Sequence, residues 1–290
     1  MAISLTKNAG DTLFDVEEGE INLSIGAPDE RLLLIAVDRI KAATIDALSE
    51  PKGSMIQYGP TNGDSKFLEE VKQLILRHSY KGRTREIGIN ELYLTCGATY
   101  GLSLVLTVFG ASRNSNLAVY VPDPIYFIAL DIFKDFGLSI IPIKTDDEGI
   151  EIEDLKQKLM TRNDEKKEEK DVGVDVSRKF KSFIYLVPTF ANPTGGTLSI
   201  TRRKELIKLG YEYSSLIICD DVYEMLPFTN DPLPPPLVEM DLEGKTSSGC
   251  VISNCTFSKI YGPGSRLGWI QAHPSLIQDI ANRYFFFPFF

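Results

Sequence analysis

The chain has 290 residues, 43% hydrophobic and 24% charged, enough apolar material for one large core or two moderate domains. That composition excludes a disordered or fibrous chain. A net charge of −9 excludes a domain-wide basic surface, so no nucleic-acid partner is expected.

In chain order, residues 1–20 read as a polar arm, and 21–25 as a short extended segment that stops at Gly26-Ala27-Pro28. Apolar residues at helical spacing (Leu33, Val37, Ile40, Ile45, Leu48) predict a helix over 31–48, closed by Pro51. The run Gln57-Tyr58-Gly59-Pro60-Thr61-Asn62-Gly63 is a glycine-rich turn, and 67–77 an amphipathic helix. From Leu92 the pattern turns to alternation. Strands are predicted at 92–95, 117–121, 139–143, 183–187, 216–219 and 251–253, and helices at 100–109, 125–136, 151–160 and 201–213. Residues 163–181 are almost wholly charged and read as an exposed, flexible insertion, and Asn230–Pro236 as a proline-rich surface loop. Strand and helix alternate, which predicts an α/β fold with a mixed, mainly parallel sheet flanked by helices. Ligand sites of such sheets lie at the C-terminal ends of the strands.

The four cysteines (Cys96, Cys219, Cys250, Cys255) form no Cys-x-x-Cys pair, which reads as a reduced, intracellular protein. Two histidines, His78 and His273, are too few for a histidine-rich metal site, so no metal is expected. Met1–Asp15 has no basic head followed by an apolar run, and no stretch is long enough to span a bilayer. The expectation is a cytoplasmic protein with no membrane partner. Asn254-Cys255-Thr256 matches a glycosylation acceptor, a pattern common by chance.

Four segments carry chemistry. Thr256-Phe257-Ser258-Lys259 follows a strand, and seven residues after the lysine Arg266 sits among Gly262, Gly264 and Gly268. Two cations and two hydroxyls so close could hold a phosphate and a reactive aldehyde; the alternative is a surface lysine and a packing arginine. Asp220-Asp221-Val222-Tyr223-Glu224 ends an apolar strand, and a buried carboxylate there needs a partner such as a protonated ring nitrogen. A helix N-cap is the competing reading. Asn192-Pro193-Thr194-Gly195 marks a tight turn after a strand. Cys96-Gly97-Ala98-Thr99 joins a strand to a helix N-terminus, where free N–H groups attract phosphate.

In this order the four segments resemble the fold-type I pyridoxal-phosphate (PLP) enzymes, and within them the class I and II aminotransferases. The resemblance runs from about Gly26 to about Ile280. It implies the aspartate aminotransferase-like large domain, pyridoxal 5′-phosphate as cofactor, and amino transfer between an amino acid and a 2-oxo acid. Lys259 would carry the cofactor covalently and then move protons at the substrate α-carbon. Asp220 would pair with the ring nitrogen. Asn192 and Tyr223 would hydrogen-bond the ring's phenolic oxygen, and Tyr126 would stack on its face. Gly97, Ala98 and Thr99, with Thr256, Ser258 and Arg266, would form the phosphate cup. Gly26 and Asn192 would line the substrate side. Tyr58 would reach the phosphate of a neighbouring subunit, which implies a homodimer.

The resemblance also breaks. It implies a further C-terminal small domain carrying the arginine for the substrate carboxylate, which is expected to be missing here. The reading therefore divides the chain into 1–50 (arm and small-domain segment), 51–283 (PLP-binding large domain) and 284–290, an aberrant apolar tail rich in phenylalanine. Cys255 stands where relatives often have glycine. Two other functions stay open: lyase or synthase chemistry on the same cofactor, and a PLP-binding protein without activity.

Overall fold

The computed structural model describes residues 26–78, 82–110, 117–168, 179–228, 232–244 and 246–284. The expected polar arm, the extended segment at 21–25 and residues 285–290 of the expected apolar tail lie outside these residues, while Tyr284, the first residue of that tail, ends a helix.

An eight-stranded sheet forms the centre, in the order β1-β8-β7-β6-β5-β2-β3-β4. Its strands are β1 (Leu92–Thr95), β2 (Ala118–Asp123), β3 (Ser139–Asp146), β4 (Gly149–Ile150), β5 (Ser182–Leu186), β6 (Ser215–Asp220), β7 (Val251–Thr256) and β8 (Gly268–Ala272). The run β7-β6-β5-β2-β3 is parallel. Strand β8 is antiparallel to both β7 and β1, and β4 is antiparallel to β3. This is the mixed, mainly parallel sheet that the strand–helix alternation implies.

Every residue of β5, β6 and β7 is buried. Strands covered on both faces need no polar side, which is why Phe183–Leu186 and Leu216–Cys219 read as apolar runs, whereas β7 buries Ser253, Asn254 and Thr256. Two helices cover the site region. Helix α3 (Ala98–Gly110) packs on β1, β7 and β8, with α8 (Pro274–Tyr284) against it and itself on β1 and β8. Covered by the sheet and by α8, α3 is apolar almost all round and buries Leu102, Leu104, Val105 and Leu106. Helix α6 (Ile200–Glu212) packs on β6 and is capped by Ser199, whose side chain accepts from the Arg202 N–H.

Helix α2 (Ser65–His78) buries Leu68, Val71 and Ile75, one stripe at helical spacing, onto Leu92 and Trp269. Helix α1 (Glu30–Ser49) forms where the periodicity placed it, capped by Asp29, yet none of its residues is buried. Helices α4 (Phe127–Asp135), α5 (Ile152–Glu168) and α7 (Leu237–Glu243) complete the described helices of this class.

Three differences from the sequence reading have physical causes. The charged stretch begins as helix: α5 runs on to Glu168, because Glu and Lys are good helix formers even without an apolar stripe. Residues 169–178 lie outside the description. Strand β8 and helix α8 went unread, since Gly268–Ala272 is too short and central to alternate. No helix follows Asp220-Asp221, where the chain makes bends and turns, so the N-cap reading of that pair is set aside.

Candidate active site

The parallel strands deliver their next residues to one end of the sheet. Asp220 closes β6, Thr256 closes β7, and Tyr126 and Asn192 follow β2 and β5. Side chains on a strand alternate between faces, so the neighbouring acids Asp220 and Asp221 point opposite ways.

Asp220 is 7% exposed and lies opposite Asn254 in the β6–β7 register. Its Oδ2 accepts from the Tyr185 hydroxyl at 2.8 Å, and its Oδ1 from Asn254 Nδ2 at 3.4 Å. Among the described residues no lysine, arginine or histidine forms an ion pair with it. Burial dominates and pushes its carboxyl up to about 6, the Asp221 charge adds to this, and the Tyr185 and Asn254 donors oppose it. The Tyr185 hydroxyl is itself pushed well up, first by burial and then by the Asp220 charge.

Asp221 faces the other side. It accepts from Ser253 Oγ at 2.5 Å and feels the charge of Arg203. Arg203, 0% exposed, donates to the carbonyls of Leu198, Pro188 and Pro235 and to the Thr189 hydroxyl. Pro188 and Thr189 lie where β5 leaves the sheet and Leu198 beyond the Asn192 turn, so Arg203 holds the backbone on both sides of that turn and forms its floor.

That turn is tight: Ala191 N donates to Gly196 O at 2.8 Å, and Gly195 has a φ of +74°. Asn192 stands beside Tyr223, which follows β6, and opposes the rise of its hydroxyl. Tyr223 and Tyr126 are both half-buried, and both hydroxyls titrate above the ordinary tyrosine range, first through burial and then through the Asp220 charge. Tyr126, Tyr185 and Asn192 also line one cavity, with Pro124, Thr194 and Leu198. Sequence-distant residues 126, 185, 192, 220 and 223 are thus brought to one place.

A second group lies across β7 and β1. The Arg266 guanidinium donates to the Cys96 carbonyl at 3.2 Å and to the Pro263 carbonyl at 3.1 Å. Gly97, at φ +94°, lets the chain turn directly into α3, and a Cβ there would sit 3.2 Å from Arg266 Nη2. Ala98 and Thr99 begin α3, whose first N–H groups have no partner within the helix. Thr256 Oγ1 donates to Ser258 Oγ at 2.9 Å and accepts from the Ser258 N–H. A helix N-terminus, a guanidinium and two hydroxyls together suit a phosphate. Asn254 joins the two groups, since its Nδ2 also donates to the Ala98 carbonyl at 2.9 Å.

Lys259 is half-buried, and burial lowers its ammonium below the ordinary lysine range. Its Nζ donates to the Gly26 carbonyl at 2.6 Å, which brings those two expected site residues together. No hydrogen bond or ion pair joins Lys259 to Asp220 among the described residues. Tyr58 stands apart, 73% exposed, on the turn before α2.

Sequence reasoning missed Tyr185, Asn254 and Arg203. A tyrosine amid an apolar strand, or an asparagine in Val-Ile-Ser-Asn-Cys-Thr, is a polar group that must find a partner once buried. Asn254 is 1% exposed, so its acceptor-like tripeptide is not open to glycosylation in the fold. Among the described residues no cluster of three His, Cys, Asp or Glu side chains could hold a metal, and no helix is long and apolar enough to cross a membrane.

The residues present fit a PLP ring. A buried carboxylate with only neutral donors suits a protonated ring nitrogen, and the phosphate-compatible cradle lies at the other end of the Asn254 bridge.

Comparison with known proteins agrees. The family described as aminotransferase class I and II matches residues 18–288. Aromatic-amino-acid aminotransferase 1 of Thermococcus litoralis is 30% identical over 260 residues, covering 90% of this chain and 56% of that protein. Among solved structures, the multiple substrate aminotransferase of Thermococcus profundus superposes with a TM-score of 0.72 at 29% identity, over 96% of this chain and 63% of that one. The kynurenine aminotransferase of Pyrococcus horikoshii, solved with PMP, KYN as substrates and KYA as products, gives a TM-score of 0.70 at 28% identity, over 90% of this chain and 58% of that one. This chain spans less than two thirds of the length of each.

Proposed function

The chain belongs to the class I and II aminotransferase family, and from that premise we propose that it binds pyridoxal 5′-phosphate and serves transfer of an amino group between an amino acid and a 2-oxo acid. When bound, that cofactor supplies an aldehyde on an electron-withdrawing ring, which can receive the amino group. The names of the relatives support aromatic or kynurenine-like amino acids as the substrate class.

Each residue then has a task. The Lys259 amine would hold the cofactor and would take and return the proton at the substrate α-carbon; its lowered ammonium pKa favours the free amine that both roles need. The Asp220 carboxylate would accept from the ring N–H and keep that nitrogen protonated. Asn192 and Tyr223 would donate to the phenolic oxygen, and Tyr126 would stack on the ring. Backbone N–H groups of Gly97, Ala98 and Thr99, the hydroxyls of Thr256 and Ser258, and the Arg266 charge would hold the phosphate. Gly26 would line the substrate side. A homodimer is part of this proposal: Tyr58 of the partner subunit would reach the same phosphate, and its exposure in the single chain supports that. The chain division at residues 50 and 283 belongs to the same reading.

The observation that carries the proposal is Asp220, a buried carboxylate with no ion-paired cation among the described residues, set at the C-terminal end of β6 near Tyr126 and Tyr223. The test is spectroscopic. The purified chain mixed with PLP should show the visible absorption of a lysine-bound cofactor, and Lys259→Ala should lose it while keeping the same circular dichroism. Adding an aromatic amino acid should replace that band with the ultraviolet band of the aminated cofactor. A folded chain with no band refutes the proposal; a band that never converts leaves cofactor binding and refutes amino transfer.

A further inference from the structure

Asp220 is held in an unusual way for a buried acid. Its two oxygens are each met by one neutral donor, from strands on either side of β6. Tyr185 lies on β5 opposite Ile218, so its side chain shares a face with Asp220 and reaches it diagonally. Tyr185 is 1% exposed and Asn254 1%, so neither donor has water as an alternative partner. On the far side, Asn254 Oδ1 lies where a Cβ on Gly101 would be, so only glycine at that point of α3 admits the asparagine. Asn254 Oδ1 is also buried without a hydrogen-bond partner among the described residues. The fold therefore tolerates a desolvated amide oxygen to keep Nδ2 between Asp220 and the Ala98 carbonyl.

We propose that Tyr185 and Asn254 are positioning residues for cofactor binding: as a pair of neutral donors, they fix the Asp220 carboxylate ionised and aimed, and Asn254 ties it to the phosphate turn. The inference rests on the PLP reading of the site. The chemistry favours neutral donors over a cation. A lysine or arginine would also keep Asp220 ionised, but it would cancel the charge that the ring N–H must meet. Hydroxyl and amide donors stabilise the anion and leave its charge and remaining lone pairs available. The other groups facing Asp220 leave this role to the pair. They are the Tyr126 and Tyr223 hydroxyls from the loops after β2 and β6; Asp221, next along the chain, and the buried Cys255 thiol on β7 act on it only through their charge from the opposite face.

The experiment is a titration of the whole 290-residue chain with PLP, followed by absorbance from pH 5 to pH 9, for wild type, Tyr185→Phe, Asn254→Ser and Asp220→Asn. Affinity in wild type should fall on the acid side as Asp220 protonates. Tyr185→Phe removes a hydrogen bond to the anion, so that acid limb should move up by about one pH unit, roughly tenfold weaker binding within it. Asn254→Ser should move it the same way by less, because the contact is longer. Asp220→Asn should lack the limb. Limbs owed to free PLP or to Lys259 are shared by all four proteins and cancel in the comparison. A merely structural tyrosine would lower stability or affinity uniformly and leave the limb in place; that result overturns the proposal. Should Tyr185→Phe not fold, the limb of Asn254→Ser decides alone. If wild type takes up no PLP, the reading of the site falls and this inference with it, whereas uptake with unmoved limbs refutes only the inference.

Discussion

Replacing Asp220 by asparagine should stabilise the cofactor-free protein while weakening its hold on PLP. The carboxyl titrates at about 6 in the fold against 3.8 for an ordinary aspartate, chiefly because it is buried. A folded-state value above the unfolded one means that ionising the group opposes folding. The stability present when it is protonated is lost as pH rises from about 4 to about 6, and stays lost above. At 1.36 kcal/mol per pKa unit, the penalty reaches about 3 kcal/mol at pH 8 and about half of that at pH 5. Asparagine keeps the shape, accepts from Asn254 and can donate to the Tyr185 oxygen, and it carries no charge to desolvate. Thermal unfolding without cofactor should therefore show Asp220→Asn melting roughly 5 °C above wild type at pH 8, with a smaller gap at pH 5. Added PLP should raise the wild-type midpoint and barely move that of the variant. A lower midpoint for Asp220→Asn at pH 8, or a gap independent of pH, would refute the assignment of burial as the dominant influence on this acid.

Further outcomes follow from named contacts. Gly97→Ala places a Cβ at φ +94° and 3.2 Å from Arg266 Nη2; it should lower stability by about 1 kcal/mol and weaken binding of both PLP and inorganic phosphate, read by urea melts and by competition titrations. Arg203→Met keeps most of the volume but removes the guanidinium donor from the Leu198 and Pro235 carbonyls, leaves the Pro188 carbonyl only the Leu198 N–H, and leaves Asp221 without the charge of Arg203. Urea unfolding should show a loss of about 3 kcal/mol, and an unchanged midpoint would count against Arg203 as the floor of the Asn192 turn. Gly101→Ala collides with Asn254 Oδ1; it should lower PLP affinity together with thermal stability, whereas lowering stability alone would detach Asn254 from the site.

Local pattern settled a good deal. The strands at 92–95, 182–186 and 215–220 and the helices at 98–110 and 200–212 follow from apolar runs and helical spacing, because burial on both faces of a sheet and on one stripe of a helix writes itself into the order of residues. Chemistry-bearing residues were legible because the turn after each strand carries its own composition: Gly97 before a helix, Asn192-Pro193 in a tight turn, two acids closing β6. Their joint meaning came from the order of the motifs, not from any one of them.

Only the tertiary structure decided which residues share a face and which partners they meet. Tyr185 and Asn254 look like core residues along the chain, and become partners of Asp220 only when β5 and β7 pair on either side of β6 in this register. The same alternation turns Asp220 toward the cofactor-compatible cleft and Asp221 toward Arg203, a division that two adjacent identical letters do not express. Helix α1 shows the converse: its periodicity announces an amphipathic helix, yet no residue of it is buried. Periodicity specifies a face that is able to be covered; what covers it, and how an acid is desolvated and held, depends on residues far apart in sequence that meet only in the fold.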